Sequence, residues 1–279
     1  MIKLFASDLD GTLLNEKHES DEVIEQTIQN IIESGRTFAA ATGRSAAMVN
    51  FHDLTDKVYI ICMNGSVILG QNRELLHFST ISKEALRDFM ERFSHLHIEY
   101  LSPDKTYVLQ PEEEYVKDMQ EHSRMLANPS QWIDRFMRSM RSSITYSQKI
   151  EDILRQDICK INCRMMENED THDLVAYLEE HKDVFVNAPS GKGLFEITDA
   201  KTNKATAVRW LAEYLNVTKD EVAVYGDGGN DLDMLAMFPH SYAPAAAQER
   251  AKKAASAVIG PYEEYSVARH MEKLLLLQK

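Results

Sequence analysis

Two aspartates two residues apart, Asp8 and Asp10, close the apolar run Ile2-Lys3-Leu4-Phe5-Ala6 and are followed at once by Gly11 and Thr12. In an extended chain alternate side chains share a face, so one site can use both carboxylates. At about 4 Å and an effective dielectric near 20, two like charges repel by roughly 4 kcal/mol. Such a pair calls for a cation, and oxygen donors suit a hard divalent ion. Gly11 lets the backbone turn sharply out of the strand. A solvated Asp-Gly turn is the plainer reading of the same residues.

The same sequence pattern, an apolar strand ending in a turn of small and polar residues, occurs three more times. Thr37-Phe38-Ala39-Ala40-Ala41 leads into Thr42-Gly43-Arg44-Ser45, and Val58-Tyr59-Ile60-Ile61-Cys62-Met63 into Asn64-Gly65-Ser66. Val222-Ala223-Val224-Tyr225 leads into Gly226-Asp227-Gly228-Gly229-Asn230-Asp231. In an open parallel sheet such strand ends share one edge, where ligands bind. A hydroxyl, an amide and further carboxylates are therefore expected near Asp8 and Asp10. Taken singly, Thr42-Gly43 reads equally well as a strand-to-helix connection, and Gly226 to Asp231 as a tight turn with Asn230 capping a helix.

In this order the segments resemble the haloacid dehalogenase superfamily, in its Cof-type branch of phosphatases with a large inserted α/β cap. The first family motif, DxDGT, is Asp8-Leu9-Asp10-Gly11-Thr12; the second is Thr42-Gly43-Arg44; the fourth, GDxxND, is Gly226 to Asp231. The third motif is altered. Its Glu-Ile strand is present as Phe195-Glu196-Ile197-Thr198, but Lys201-Thr202-Asn203-Lys204-Ala205 stands where the family has Gly-x-Ser-Lys-Gly. Lys204 falls on the family lysine. Asn203 can cap the helix suggested by Ala205, Val208, Leu211, Ala212 and Leu215. Lys201 is the competing lysine. Near the C-terminus Tyr265-Ser266-Val267-Ala268 replaces the family's Asp-Gly-Val-Ala turn.

The resemblance implies an α/β fold: a Rossmann-like core with a mostly parallel sheet, plus the inserted α/β cap domain. It also implies phosphoryl transfer to a carboxylate. Asp8 is the nucleophile that forms an aspartyl-phosphate, and Asp10 the acid and base. Thr42, the Gly43 amide and Lys204 would hold phosphoryl oxygens. Arg44, Asn64 and Asn230 are candidate phosphate contacts. Mg²⁺ would be held by Asp8, the Asp10 carbonyl and Asp227, with Asp231 supporting that shell. A small phosphorylated metabolite, such as a sugar phosphate or phosphorylated cofactor, is the implied substrate. A phosphomutase of the same superfamily, or an idle regulator that binds a phosphorylated ligand, are the alternatives. Binding alone has no use for a nucleophile and a proton shuttle.

Composition fits a cytoplasmic enzyme. A chain of 279 residues is long for one core, so two domains are expected. They are placed at 1–82 and 190–279 for the core and 83–189 for the cap. No apolar run reaches membrane-spanning length, and no basic-then-apolar leader opens the chain. The net charge of −13 argues against a nucleic-acid partner. Cys62, Cys159 and Cys163 are too few for a disulfide scaffold, and the latter two read as strand core. His95, His97 and His122 lack metal-ligand spacing. A helix is expected over Ser20 to Ser34, capped by Ser20, with Val23, Ile24, Ile28 and Ile31 inward and Gly35 ending it.

Overall fold

The apolar runs form the strands expected of them. A computed structural model describes residues 1–124, 143–165, 171–189 and 193–277. Leu4–Ser7 (β1), Thr37–Ala41 (β2), Tyr59–Cys62 (β3), Val67–Leu69 (β4) and Leu75–Phe78 (β5) come first. Ile98–Leu101 (β6), Thr106–Tyr107 (β7), Ile144–Thr145 (β8), Lys160–Arg164 (β9), Phe185–Asn187 (β10) and Leu194–Asp199 (β11) occupy the middle. Val222–Tyr225 (β12), His240–Ala243 (β13) and Ala257–Val258 (β14) close the series.

The chain divides into two compact units. One comprises Met1–Ser45, Val49–His77 and Thr202–Lys279, the other Ala46–Met48 and Phe78–Lys201. The expected return to the first unit at residue 190 falls instead at Thr202, because β11 pairs with β9 and β10 of the second unit's sheet. Phe195 to Thr198 therefore belongs to the insertion, although the family motif it carries is contiguous with Lys204 in sequence.

The first unit is built on a sheet ordered β14-β13-β12-β1-β2-β3-β4-β5. From β14 to β3 the neighbours are parallel, and β3 turns back antiparallel into β4. The chain leaves β1 on one side for β2 and returns on the other as β12. Strand order thus reverses at β1, the position where open α/β sheets bind ligands beyond their carboxyl ends. Leu4, Ala39, Ala41, Ile61, Val222 and Val224 pack against Val208 and Leu211 of the helix Lys204–Tyr214. Burying each large aliphatic side chain here contributes about 1.5–3 kcal/mol. The first helix runs Glu22–Glu33, and its cap is Asp21, which accepts from the Ile24 amide, rather than Ser20. Ile24, Thr27, Ile28 and Ile31 form the buried stripe, and Val23, off that stripe, is exposed.

The second unit has a sheet ordered β10-β11-β9-β6-β7-β8, antiparallel apart from β7 and β8. Alternation along its strands separates two chemistries. Tyr100, Ile161, Cys163 and Ile197 meet Phe89, Phe93, Tyr177 and Phe185 in an apolar core. Glu99, Lys160, Asn162, Arg164 and Glu196, the intervening residues, are also buried. Arg164 donates twice to Glu99, at 3.2 Å each, and Asn162 and Tyr115 donate to the same carboxylate at 3.0 and 2.6 Å. Lys160 pairs with Glu196. All three cysteines are buried and unbridged.

Candidate active site

Asp8 is fixed where β1 ends, its amide donating to the Tyr225 carbonyl of β12 at 2.9 Å. Beyond it Leu9–Leu13 winds into a tight turn through Gly11, whose φ of +76° favours glycine. A Cβ on Gly11 would also come within 2.7 Å of Asp227 Oδ2, so the residue is required for closeness as well as for conformation. Thr12 completes the turn by donating to Asp227 Oδ1 at 3.1 Å.

Lys204 arrives from the other direction. It is the first residue of the helix Lys204–Tyr214, capped by Asn203, which accepts from the Thr206 amide at 2.8 Å; Thr206 Oγ1 in turn accepts from the Asn203 amide. Asn203 thus performs the capping expected of it in place of the family serine. The Asn203 carbonyl lies so close to Gly65 (φ +102°) that no Cβ would fit there. This seats the helix start against the turn after β3. Lys204 is wholly buried, and its Nζ donates to Asp8 Oδ1 and Asp231 Oδ1, 2.7 Å each. Asp231 Oδ2 accepts from the amides of Asp227 and Gly228 at 3.0 and 2.9 Å.

Asp8 and Asp231 therefore share one ammonium, and Asp227 lies beside them, with oxygens of the three within 4.8 Å of one another. The surplus of negative charge is visible in the protonation equilibria. Burial pushes the Asp8 carboxyl well up, and Asp231 and Asp227 add to this against the pull of Lys204. Burial and the neighbouring Asp231 raise Asp227 to about 6. Burial works against the Lys204 ammonium, but Asp231 and Asp8 outweigh it and hold its pKa above the ordinary lysine range. A buried all-oxygen cluster short of positive charge fits a hard divalent cation. Both oxygens of Asp231 are engaged by Lys204 and by loop amides, so Asp231 braces the cluster, and Asp8 and Asp227 are the residues that could offer oxygens to such an ion.

The remaining sequence candidates fall into two further groups. Thr42, at the end of β2, is buried, and its Oγ1 accepts from the Arg44 amide at 3.1 Å. Gly43 lies between them in the same loop. Asn64, buried after β3, accepts on Oδ1 from Asn230 Nδ2 at 3.1 Å, which ties the third strand end to the fourth. Asp10 stands apart from the carboxylate cluster. Arg44 grips it with Nε at 2.7 Å and Nη2 at 2.5 Å, and His18 Nδ1 lies 2.8 Å from Oδ1. Burial alone would raise the Asp10 carboxyl, but His18 and Arg44 reverse that and hold it well below the usual carboxylate range. Lys201 is exposed, its amide donating to Asp199 at 2.9 Å.

Three residues that position this chemistry have no role in the sequence reading. Thr12 is part of the first motif, yet only its fold-back onto Asp227 shows a purpose. Gly65 belongs to a turn whose need for glycine comes from a helix start far away in sequence. His18 sits in a loop without periodicity, so neither spacing nor pattern marks it.

Comparison with known proteins supplies the family. The model of the haloacid dehalogenase-like hydrolases matches residues 5–271. The chain is 28% identical over 297 residues to Phosphatase YwpJ of Bacillus subtilis, covering 98% of this chain and all of that one. It is 25% identical to the 5-amino-6-(5-phospho-D-ribitylamino)uracil phosphatase YwtE of the same organism, covering 98% of both. A solved haloacid dehalogenase-like hydrolase from B. subtilis superposes with a TM-score of 0.81 at 27% identity, covering 98% of this chain and all of that one. With the motif carboxylates and the lysine brought together at one sheet edge, the chain belongs to the haloacid dehalogenase-like hydrolase family and is a phosphatase of that family.

Proposed function

We propose that the protein hydrolyses a small organic phosphate monoester, a sugar phosphate or a phosphorylated cofactor, through an aspartyl-phosphate on Asp8 with Mg²⁺ as cofactor. The observation that carries this reading is the buried Lys204 ammonium shared between Asp8 and Asp231 beside Asp227. It fixes one Asp8 oxygen and leaves the carboxylate presented at the strand end, as a nucleophile for in-line attack must be. Lys204 stabilises charge on the phosphoryl oxygens. Asp8 and Asp227, with the Asp10 carbonyl, would hold the Mg²⁺, which supplies neutralisation of phosphoryl charge when bound.

Asp10 first has to leave the Arg44 and His18 contacts that keep it ionised and take up a proton; Asp8 then attacks phosphorus and the alkoxide departs with that proton. Water then attacks the aspartyl-phosphate while Asp10 takes its proton, releasing phosphate and restoring Asp8. Thr42 and the Gly43 amide, in the loop after β2, would receive phosphoryl oxygens. The amide pair Asn64 and Asn230 supports the same edge. The substrate class draws on the phosphorylated metabolite named for the relatives such as YwtE. Among the described residues no helix is long and apolar enough to cross a membrane.

The test is phosphate release from a panel of phosphorylated metabolites by chelator-treated protein, with and without added Mg²⁺. Turnover of at least one monoester only when Mg²⁺ is present supports the reading. Turnover that survives exhaustive chelation overturns the metal assignment, and binding of panel members without release favours a phospho-ligand regulator.

A further inference from the structure

The loop that joins Asp227 to Asp231 contains two consecutive glycines, Gly228 and Gly229. Glycine loses more conformational freedom on ordering than any other residue, so such a loop is either fixed from outside or ordered by what it binds. Part of the fixing is internal to the site. Thr12 holds the Asp227 carboxylate, Asp231 Oδ2 takes the amides of Asp227 and Gly228, and Asn230 is tied to Asn64. Gly229 is met from a different segment. The Gln248 amide donates to the Asp227 carbonyl at 3.0 Å, and two residues further on Arg250 lays its guanidinium against Gly229. A Cβ on Gly229 would collide with Arg250 Nη2 and come within 3.0 Å of its Cζ. Gly229 lacks the left-handed φ that would by itself favour glycine, so what glycine supplies here is room for the guanidinium. Arg250 is itself aimed. Its Nε donates to Gln248 Oε1 at 3.0 Å, and it belongs to the helix Glu249–Ala254, which Ala247 and Ala251 anchor in the apolar core of the first unit. Arg250 is an exposed residue, so shortening it leaves that core intact.

We infer that Arg250 is a positioning residue for the metal site: clasped over Gly229, it holds the loop from Gly226 to Asp231 in the shape that presents Asp227 to a divalent cation. This rests on the reading of Asp8 and Asp227 as Mg²⁺ donors given above. The sign of the effect separates positioning from charge. A guanidinium near a cation site opposes the cation through space, so an Arg250 that acted by charge alone would weaken Mg²⁺ binding, and its removal would tighten it, most of all at low salt. A guanidinium that fixes the loop spares the ion the cost of ordering it, and its removal weakens binding at any salt.

Calorimetric titration of Mg²⁺ into the chelator-treated full-length protein tells the two apart. Arg250→Ala is expected to raise the Mg²⁺ Kd about fivefold at low and at physiological salt alike. Its melting temperature in chelator should change by no more than about 2 °C. Arg250→Lys keeps the charge without the plane and should raise the Kd nearly as much. Gly229→Ala should weaken binding while Arg250 is present and not once Arg250 has been replaced by Ala. Hydrogen exchange of the Asp227 to Asp231 amides in chelator, a measurement that needs no metal, should quicken in Arg250→Ala. Tighter Mg²⁺ binding by Arg250→Ala would overturn the positioning role in favour of a charge effect. An equal effect of Gly229→Ala in both backgrounds, or loop exchange that ignores residue 250, would also overturn it. Failure of the unaltered protein to take up Mg²⁺ overturns the metal reading, and the positioning role with it; Mg²⁺ uptake indifferent to residue 250 overturns the positioning role alone.

Discussion

At the ends of β1 and β12 the carboxylates of Asp8, Asp227 and Asp231 converge around the single ammonium of Lys204, which bonds buried Asp8 and Asp231 and leaves half-buried Asp227 beside them, whereas on the polar face of the second sheet each buried acid has its own base. Glu99 meets the Arg164 fork and two further donors, and its carboxyl is held down because Arg164 and these hydrogen bonds overcome its burial. Asp8, equally buried, is pushed up. Similar desolvation thus has opposite outcomes, and the deciding quantity is local charge balance. A balanced buried pair is complete within the fold; an unbalanced one has affinity left over for a cation or a reacting group.

Exchanging the charge at each cluster is the strongest way to break this contrast. Asp8→Asn removes a nucleophile and should lower kcat by at least about 10³-fold. It also relieves surplus negative charge, so the melting temperature in chelator should not fall. Residual turnover of a few per cent, in protein free of deamidated material, would argue against Asp8 as nucleophile. Glu99→Gln should do the reverse to the fold. It leaves the Arg164 guanidinium buried without a counter-charge, a change expected to cost about 3–5 kcal/mol. Chemical denaturation measures it, and a loss below about 1 kcal/mol would mean that the polar face of the second sheet is solvated rather than sealed.

Lys204→Met sharpens the contrast from the other side, since it takes the one cation from three acids. Loss of this charge-stabilising group should lower kcat by about 10²-fold or more. A KM effect with unchanged kcat would show that Lys204 binds substrate without favouring the transition state.

A divalent cation should restore the balance that the chain itself leaves incomplete. The Asp227 carboxyl titrates at about 6 in the folded protein against an ordinary 3.8. Its contribution to stability is therefore full below about pH 4 and is lost as pH rises through 6. In chelator the melting temperature should fall between pH 5 and 7. Mg²⁺ at a hundredfold excess over its Kd should return about 2.7 kcal/mol above that range and far less at pH 5. Equal Mg²⁺ stabilisation at both pH values would place the ion away from Asp227.

Much of the first cluster was legible in the sequence because each part is local. An apolar run followed by Asp-Gly or Thr-Gly marks a strand end, and parallel topology gathers strand ends at one edge. The second cluster was not legible. Lys160, Asn162 and Arg164 lie in a run recognisable as a strand, but their partners Glu99 and Glu196 are dozens of residues away, and pairing across a sheet leaves no local trace. The same non-locality moved the unit boundary, since only sheet membership assigns β11. At the first helix, two adjacent residues can both cap, so the sequence points to Ser20 as readily as to Asp21, and Val23, apolar and next to Ile24, is counted with the stripe although it faces solvent.

The smallest expected effect concerns Lys201, three residues before Lys204 and in the other unit. Sequence alone left either lysine able to serve the phosphate, because the altered third motif offers no glycine to anchor its register. The structure separates them by burial: Lys204 is wholly inaccessible and bonded to Asp8 and Asp231, while Lys201 is exposed beyond the end of β11. An exposed ammonium is screened by water and salt, and its interactions are worth about 1 kcal/mol or less. Lys201→Met should therefore change kcat by less than about threefold, within the range that such a screened charge supplies. The measurement is steady-state kinetics at low and at physiological salt, beside Lys204→Met under the same conditions. A loss for Lys201→Met that rivals the Lys204 variant and persists in salt would transfer the catalytic charge to the second unit, and the contrast between an unbalanced first cluster and a balanced second one would no longer explain where the chemistry lies.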